Sequence, residues 1–201
     1  MAPVQPTDAR ERILDAAFTV LTELGLLRAT TKQIAREAGY SEANLYKHFA
    51  SKEQLFVAVL KERVPVLART LASLKPGTGD LMANVGEVTL SALRFYRASI
   101  PIAGALMADP QLMTQHRLAM PPQMGPARPI EDFAAYLAAE RELGRLAPAS
   151  RPEAIAALLI GAAMQRGFLL RYYGEKWPEE DEATVARELT ETALRGNLPA
   201  E

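Results

Sequence analysis

Apolar residues recur every three to four positions along most of this chain, the period that predicts amphipathic helices. The first helix is expected from about Asp8 to Leu24, with Ile13, Ala16, Ala17, Val20, Leu21 and Leu24 on one face. Asp8 and Glu11 make a capping-box-like pair at its start, and Gly25 stops it. Thr30-x-x-Gln33 opens a short second helix that carries Ile34, Ala35 and Ala38 inward before Gly39. Ser41 opens a third, with Leu45. Ser51-x-x-Gln54 opens a fourth, with Leu55, Phe56, Val59, Leu60 and Leu67. That helix is expected to reach Leu74 with a kink at Pro65, because proline removes a donor and its ring crowds the preceding turn.

The remainder reads as longer helices with more interruptions. Residues 7–64 hold no proline and two glycines, whereas residues 65–201 hold twelve prolines and ten glycines. Lys75-Pro-Gly-Thr-Gly is a turn, after which Asp80 caps a helix carrying Val85, Val88, Thr89, Ala92 and Leu93 that is expected to end before Pro101. Asp109-Pro110 starts another, which stops at Pro121-Pro122. Residues 121–129, with four prolines, read as a loop. Helices then follow near 129–143, 151–173 and 180–195, the longest opened by Ser150-x-x-Glu153. No run alternates as a strand would, so the expected class is all-α.

Composition narrows the chemistry. At 201 residues, with 49% hydrophobic and 23% charged residues, the chain has the make-up of a globular domain or two. A net charge of -1 excludes a wholly basic nucleic-acid coat, so any such contact needs a local patch. With no cysteine there is no disulfide framework, thiolate metal site or thiol nucleophile. His48 and His116 have no metal-ligand spacing around them, and no phosphate-binding glycine loop or nucleophile elbow is present. No cofactor, metal or enzyme activity is expected. The acidic run Glu179 to Glu182 reads as the first turn of the last helix, favoured by its dipole. The first ten residues lack an apolar segment, and the longest apolar run, Ala154 to Met164, is too short to span a bilayer, so a cytoplasmic chain without membrane contact is expected.

The informative stretch is residues 30–52. A short helix, a tight turn at Gly39 and a second short helix are the parts of a helix-turn-helix. Its second helix must be polar on one side to enter a major groove and apolar on the other to anchor. Ser41, Glu42, Ala43, Asn44, Lys47 and His48 supply the first side; Leu45 and Phe49 supply the second. Residues 28–52 carry five cations (Arg28, Lys32, Arg36, Lys47, Lys52) against Glu37 and Glu42.

The run Thr30-Thr31, Ile34-Ala35, Ala38-Gly39-Tyr40-Ser41, Leu45-Tyr46-Lys47-His48-Phe49, Ser51-Lys52-Glu53 and Leu55 resembles the DNA-binding domain of TetR-type transcriptional regulators. The resemblance covers residues 8 to about 60; beyond it only the helical layout and the Gly144-Arg145-Leu146 turn correspond. It implies an N-terminal three-helix domain (1–52), a connecting fourth helix (53–74) and a larger helical effector-binding and dimerisation domain (75–201). By the same resemblance Thr31, Tyr46, His48 and Lys52 meet the DNA backbone, while Ala43, Asn44 and Lys47 face the groove; Lys32 is a further candidate DNA contact. Glu42 fits least well, as an anion turned toward the DNA; it would accept from cytosine or serve only the helix terminus.

Five of seven methionines fall between Met82 and Met124, near aromatic residues, which suits an adaptable apolar cavity as well as ordinary core filling. Phe95, Tyr96, Met107, Met113, His116, Met124, Phe133 and Gln165 are the candidate lining. On the helices near 151–173 and 180–195, Ile155, Leu158, Leu159, Ala162, Ala163, Val185, Leu189 and Ala193, with small Ala157 and Gly161, make apolar stripes that the resemblance assigns to a homodimer interface. The expected function is a dimeric repressor of a near-palindromic operator, released by a small, largely apolar molecule. A DNA-binding activator, or a ligand-binding helical protein without specific DNA binding, stays open.

Overall fold

The computed structural model describes residues 6–25, 28–63, 66–119, 125–178 and 180–199. Among these there is no strand. Ten α-helices follow in order: α1 Pro6–Leu24, α2 Thr31–Ala38, α3 Glu42–His48, α4 Lys52–Glu62, α5 Val66–Ser73, α6 Leu81–Ala108, α7 Pro110–Ala119, α8 Arg128–Glu142, α9 Pro152–Tyr173 and α10 Glu182–Leu194. They form two compact units, one from Met1–Pro65 with Ala98–Pro121, the other from Val66–Arg97 with Pro122–Glu201.

In the first unit, Ile13, Leu14, Ala17 and Leu21 of α1 meet Ile34 of α2, Leu45 of α3, Phe49, and Leu55, Phe56 and Val59 of α4 in one core. Burying a side chain such as Leu45 contributes roughly 1.5–3 kcal/mol, enough to fix the rotation of a helix as short as α3. α1 starts at Pro6, so Asp8 lies inside the first turn rather than at the cap; proline suits that position because it lacks the amide a helix leaves unpaired there. Around the core, Arg63 pairs with Glu11 and Asp15 at 2.7 Å each, and Arg10 with Glu62 at 2.6 Å, tying the end of α4 to α1.

The single fourth helix expected to Leu74 is instead α4 and α5, and Pro65 lies outside the described residues. The helix expected to stop before Pro101 continues to Ala108, because Ile102 and Leu106 are buried in the first unit's core and outweigh the lost amide. Proline does end the connection at Asp109, whose carboxylate accepts from the Gln111 amide at 2.9 Å as α7 begins.

In the second unit α8 and α9 pack against each other, and Val85, Val88 and Ala92 of α6 join Phe133, Leu137, Ile155, Leu159, Ile160, Val185 and Leu194 in its core. Gly167 lets α9 approach α6: a Cβ there would lie 2.8 Å from the Tyr96 carbonyl oxygen. The loop 75–79 is held by Arg145, which donates to the Gly79 carbonyl at 2.7 Å and pairs with the fully buried Glu140 at 3.3 Å. Asn84 adds bonds to the Thr78 carbonyl at 2.9 Å and the Tyr136 hydroxyl at 3.0 Å. Ser150 does not cap α9. Pro152 at the first helical position holds Arg151 extended, and Arg151 takes the cap place.

α9 has 22 residues and, by length and composition alone, is long and apolar enough to cross a membrane, unlike the shorter run weighed from sequence. One face of it, Ile155, Ala156, Leu159, Ile160, Ala163 and Gly167, is buried within the unit's own core.

Candidate nucleic-acid interface

Local chemistry builds the α2–α3 pair. The Thr30 hydroxyl accepts from the Gln33 amide at 3.2 Å while the Gln33 side chain accepts from the Thr30 amide at 3.0 Å, a complete capping box. Gly39 ends α2 at φ 76°, a left-handed conformation that costs a glycine nothing, and the chain reverses there. Ser41 then caps α3 by accepting from the Asn44 amide at 3.2 Å, and Ser51 caps α4 by accepting from the Gln54 amide at 3.2 Å.

With Leu45 buried, the seven-residue α3 presents its other faces in fixed order. Ala43 and Lys47 are exposed; Asn44 and His48 are half-buried. Glu42 and Tyr46, one turn apart, both reach back to α2. The Thr31 hydroxyl donates to the Glu42 carboxylate, and the Tyr46 hydroxyl donates to the Thr31 oxygen at 3.4 Å. Thr31 itself keeps only 8% of its surface exposed. Lys52 opens α4 with its Nζ 5.2 Å from the Phe56 ring centre, a helix terminus that the dipole makes unfavourable for a cation. Beside it, a hydrogen bond from Ser51 and the helix amide hold the Glu53 carboxyl below the usual range.

Arg12, Arg28, Lys32, Arg36 and Lys47 are exposed and have no ion-pair partner among the described residues, in contrast to Arg10 and Arg63. Sequence reading passed over Arg12. Its guanidinium lies 5.2 Å from the Tyr40 ring centre, beside the Gly39 turn, a contact between distant positions that no local spacing announces.

The candidate effector residues divide between the units. In the second, Phe95 and Tyr96 meet edge-on at 4.9 Å, half-buried, and burial pushes the Tyr96 phenol up from its usual pKa. Phe133 is fully buried in that core, and Gln165 is exposed on α9. In the first unit, Met107 is 74% exposed, Met113 packs against the core and His116 is half-buried. Met124 lies outside the described residues. An open groove of about 280 Å³ in the second unit is lined by Arg94, Arg97, Glu180, Asp181, Glu182 and Ala183. It is polar, and Glu182 already takes Arg94 at 3.4 Å and Arg97 at 3.1 Å. Of the same acidic run, Glu179 lies outside the described residues, Glu180 pairs with Arg166 at 2.8 Å and Asp181 caps α10. Hydrogen bonds from Thr184 hold the Asp181 carboxyl below its usual pKa.

The apolar stripes divide too. Ile155, Leu159, Ala163 and Val185 are buried within their own unit, and Leu189 and Ala193 pack against the same core. Leu158 (67%), Phe168 (54%) and Tyr172 (70%) remain exposed along α9, with open space over Gly161. Phe168, Tyr172, Tyr173 and Trp177 form a run of ring contacts at 5.9, 4.9 and 5.4 Å.

A capped short helix, a left-handed glycine turn and a second short helix with free cations around it define a DNA-binding helix-turn-helix. Residues 13–59 match the profile of bacterial regulatory proteins of the tetR family, so the likeness to that family lies in this N-terminal domain. It is 40% identical over 60 residues to the HTH-type transcriptional repressor KstR2 of Mycolicibacterium smegmatis, a match covering 30% of this chain and 29% of that protein. Along its whole length it is 29% identical to the HTH-type transcriptional regulator BetI of Rhizobium meliloti, covering 92% of it. The fold of the fatty acid degradation regulator FadR from Bacillus halodurans covers 95% of this chain and 96% of that one with a TM-score of 0.69, at 16% identity. These relatives are transcriptional regulators, which are not enzymes.

Proposed function

We propose that this chain is a transcriptional repressor that binds a near-palindromic operator as a homodimer and is released by a small, largely apolar effector in the cytoplasm. The observation that carries the reading is α3, rotated by buried Leu45 so that Ala43 and Lys47 point to solvent among unpaired cations. Asn44 pairs with adenine in two-point fashion and Lys47 with guanine, while Thr31, Lys32, Tyr46, His48 and Lys52 lie toward phosphates. Two such helices engage two half-sites together when they stand about one DNA turn apart, roughly 34–36 Å or a multiple of it.

Residues 1–52 serve DNA, 53–74 connect, and 75–201 take the effector and the second copy. The exposed Leu158, Phe168 and Tyr172, with Gly161 open for close helix approach, support α9 as the dimer helix. The half-buried pair Phe95–Tyr96 supports effector binding in the second unit. The effector lowers operator affinity only as far as it prefers the state that does not bind DNA.

Fluorescence anisotropy against duplexes tiling the DNA upstream of the coding region, at two salt concentrations, tests the reading. Tight binding to one palindromic fragment, lost in Asn44→Ala and Lys47→Ala, is expected. Equal, salt-labile binding to every fragment would contradict it.

A further inference from the structure

Two hydroxyls that a DNA backbone would use are already taken inside the free protein. Thr31 has one hydroxyl proton, and it goes to the Glu42 carboxylate; Tyr46 has one, and it goes to the Thr31 oxygen. Glu42 is half-buried, and Thr31 keeps only 8% of its surface exposed. It has no cation as partner among the described residues, although Lys32, next to Thr31 on α2, and Lys47 on its own helix α3 stand unpaired. A carboxylate and a phosphodiester present the same thing to a hydroxyl, an anionic oxygen acceptor, so only one of them is served at a time.

We infer that Glu42 lowers DNA affinity by standing in for a phosphate on Thr31 and Tyr46. This rests on the DNA-binding reading above and adds to it a residue that weakens binding to every sequence alike. Docking a backbone phosphate at Thr31 requires the carboxylate to swing away, and the displaced anion then lies beside the DNA charge. Glu42 thereby sets a threshold: the non-specific complex, which lives on phosphate contacts alone, is penalised, while base contacts from α3 remain available to offset the cost at an operator.

The experiment compares the full chain with Glu42→Gln, which keeps the shape and removes the charge. Binding is measured at low salt to a mixed-sequence duplex and, where one has been found, to the operator. Tightening of both by roughly tenfold is expected, the worth of about one charged hydrogen bond. Thr31→Val completes a cycle: it should cost little in the parent, where the hydroxyl is occupied, and several-fold more in the Glu42→Gln background. If Glu42→Gln binds no tighter, or shifts only the preference between duplexes, Glu42 is not a phosphate stand-in. Equal cost of Thr31→Val in both backgrounds overturns the inference as well. Glu42→Ala replaces the Gln variant should thermal melting show the latter misfolded. The mixed-sequence arm decides the matter even if no operator exists, so failure of the repressor reading is read separately.

Discussion

Gly167 faces the backbone of Tyr96 so closely that a methyl group on its Cα would stand 2.8 Å from the carbonyl oxygen and 2.9 Å from the carbonyl carbon. Neither atom is the end of a flexible side chain, so helix α9 or α6 would have to move. Gly167→Ala is expected to cost about 1–3 kcal/mol, read as a lower urea midpoint. Gly161, six residues earlier on α9, has nothing within 4 Å of the same position. Gly161→Ala should therefore stabilise the single chain by up to about 1 kcal/mol through helix propensity, while weakening dimerisation at the proposed interface.

Arg145 neutralises a carboxylate that has no exposed surface, at 3.3 Å. Arg145→Ala would strand that charge and is expected to cost about 3 kcal/mol. Glu140→Gln, which removes the charge and leaves the shape, should cost clearly less. Chemical denaturation of the two variants side by side checks the order.

Burial first, and then its hydrogen bond with Glu140, push the Tyr136 phenol up to about 12 from a usual 10. A group whose pKa is raised on folding favours the native state while it stays protonated. Its contribution is therefore complete below pH 10 and fades as pH rises from about 10 to about 12. A Tyr136→Phe variant should lose less stability across that window than the parent, measured by urea midpoints at successive pH values.

Lys52→Ala is expected to weaken binding to all duplexes evenly and to lower the salt slope by roughly one. Asn44→Ala should leave that slope alone and relax the choice of base, by about 1–3 kcal/mol against the wrong pair. Titrations at four or more salt concentrations separate the two roles, and a sequence-selective Lys52 effect would reverse the assignment.

On α9, Leu158→Glu with Phe168→Glu puts charge on two exposed apolar positions, of which Phe168 gives up its stacking on Tyr172 of the same helix. Sedimentation equilibrium should show the variant as a monomer with unchanged helicity and sharply reduced operator affinity. A dimer that survives both changes moves the interface elsewhere.

What the sequence made legible follows the range of the forces involved. The Thr30–Gln33 box, the Ser41 and Ser51 caps and the Gly39 reversal all depend on groups within four positions, and each stands where the pattern puts it. Distant burial is harder to read. Pro101 looks like a stop until Ile102 and Leu106 find a core, and Ser150 looks like a cap until Pro152 fixes the residue between them. The α9–α10 stripes could be read as apolar but not as inward or outward, because that choice depends on which neighbour arrives first at each face. Glu42 was visible as a misfit; its partner Thr31, eleven positions away, was not. The effector residues were chosen by type, and Phe133, fully buried, and Met107, largely exposed, show how little type says about place.

Trp177 is the chain's single tryptophan, and it stacks on Tyr173 at the end of the ring series formed by the exposed Phe168, Tyr172 and Tyr173 of α9. Its fluorescence is thus an unlabelled reporter of that one face, with no second indole to subtract. Dilution through the dimer dissociation range should move its emission if the face is covered by a second copy and leave it still if not. With no cysteine in the sequence, a single introduced thiol would carry an acceptor dye to one chosen place, and the pair would measure that place against α9 directly.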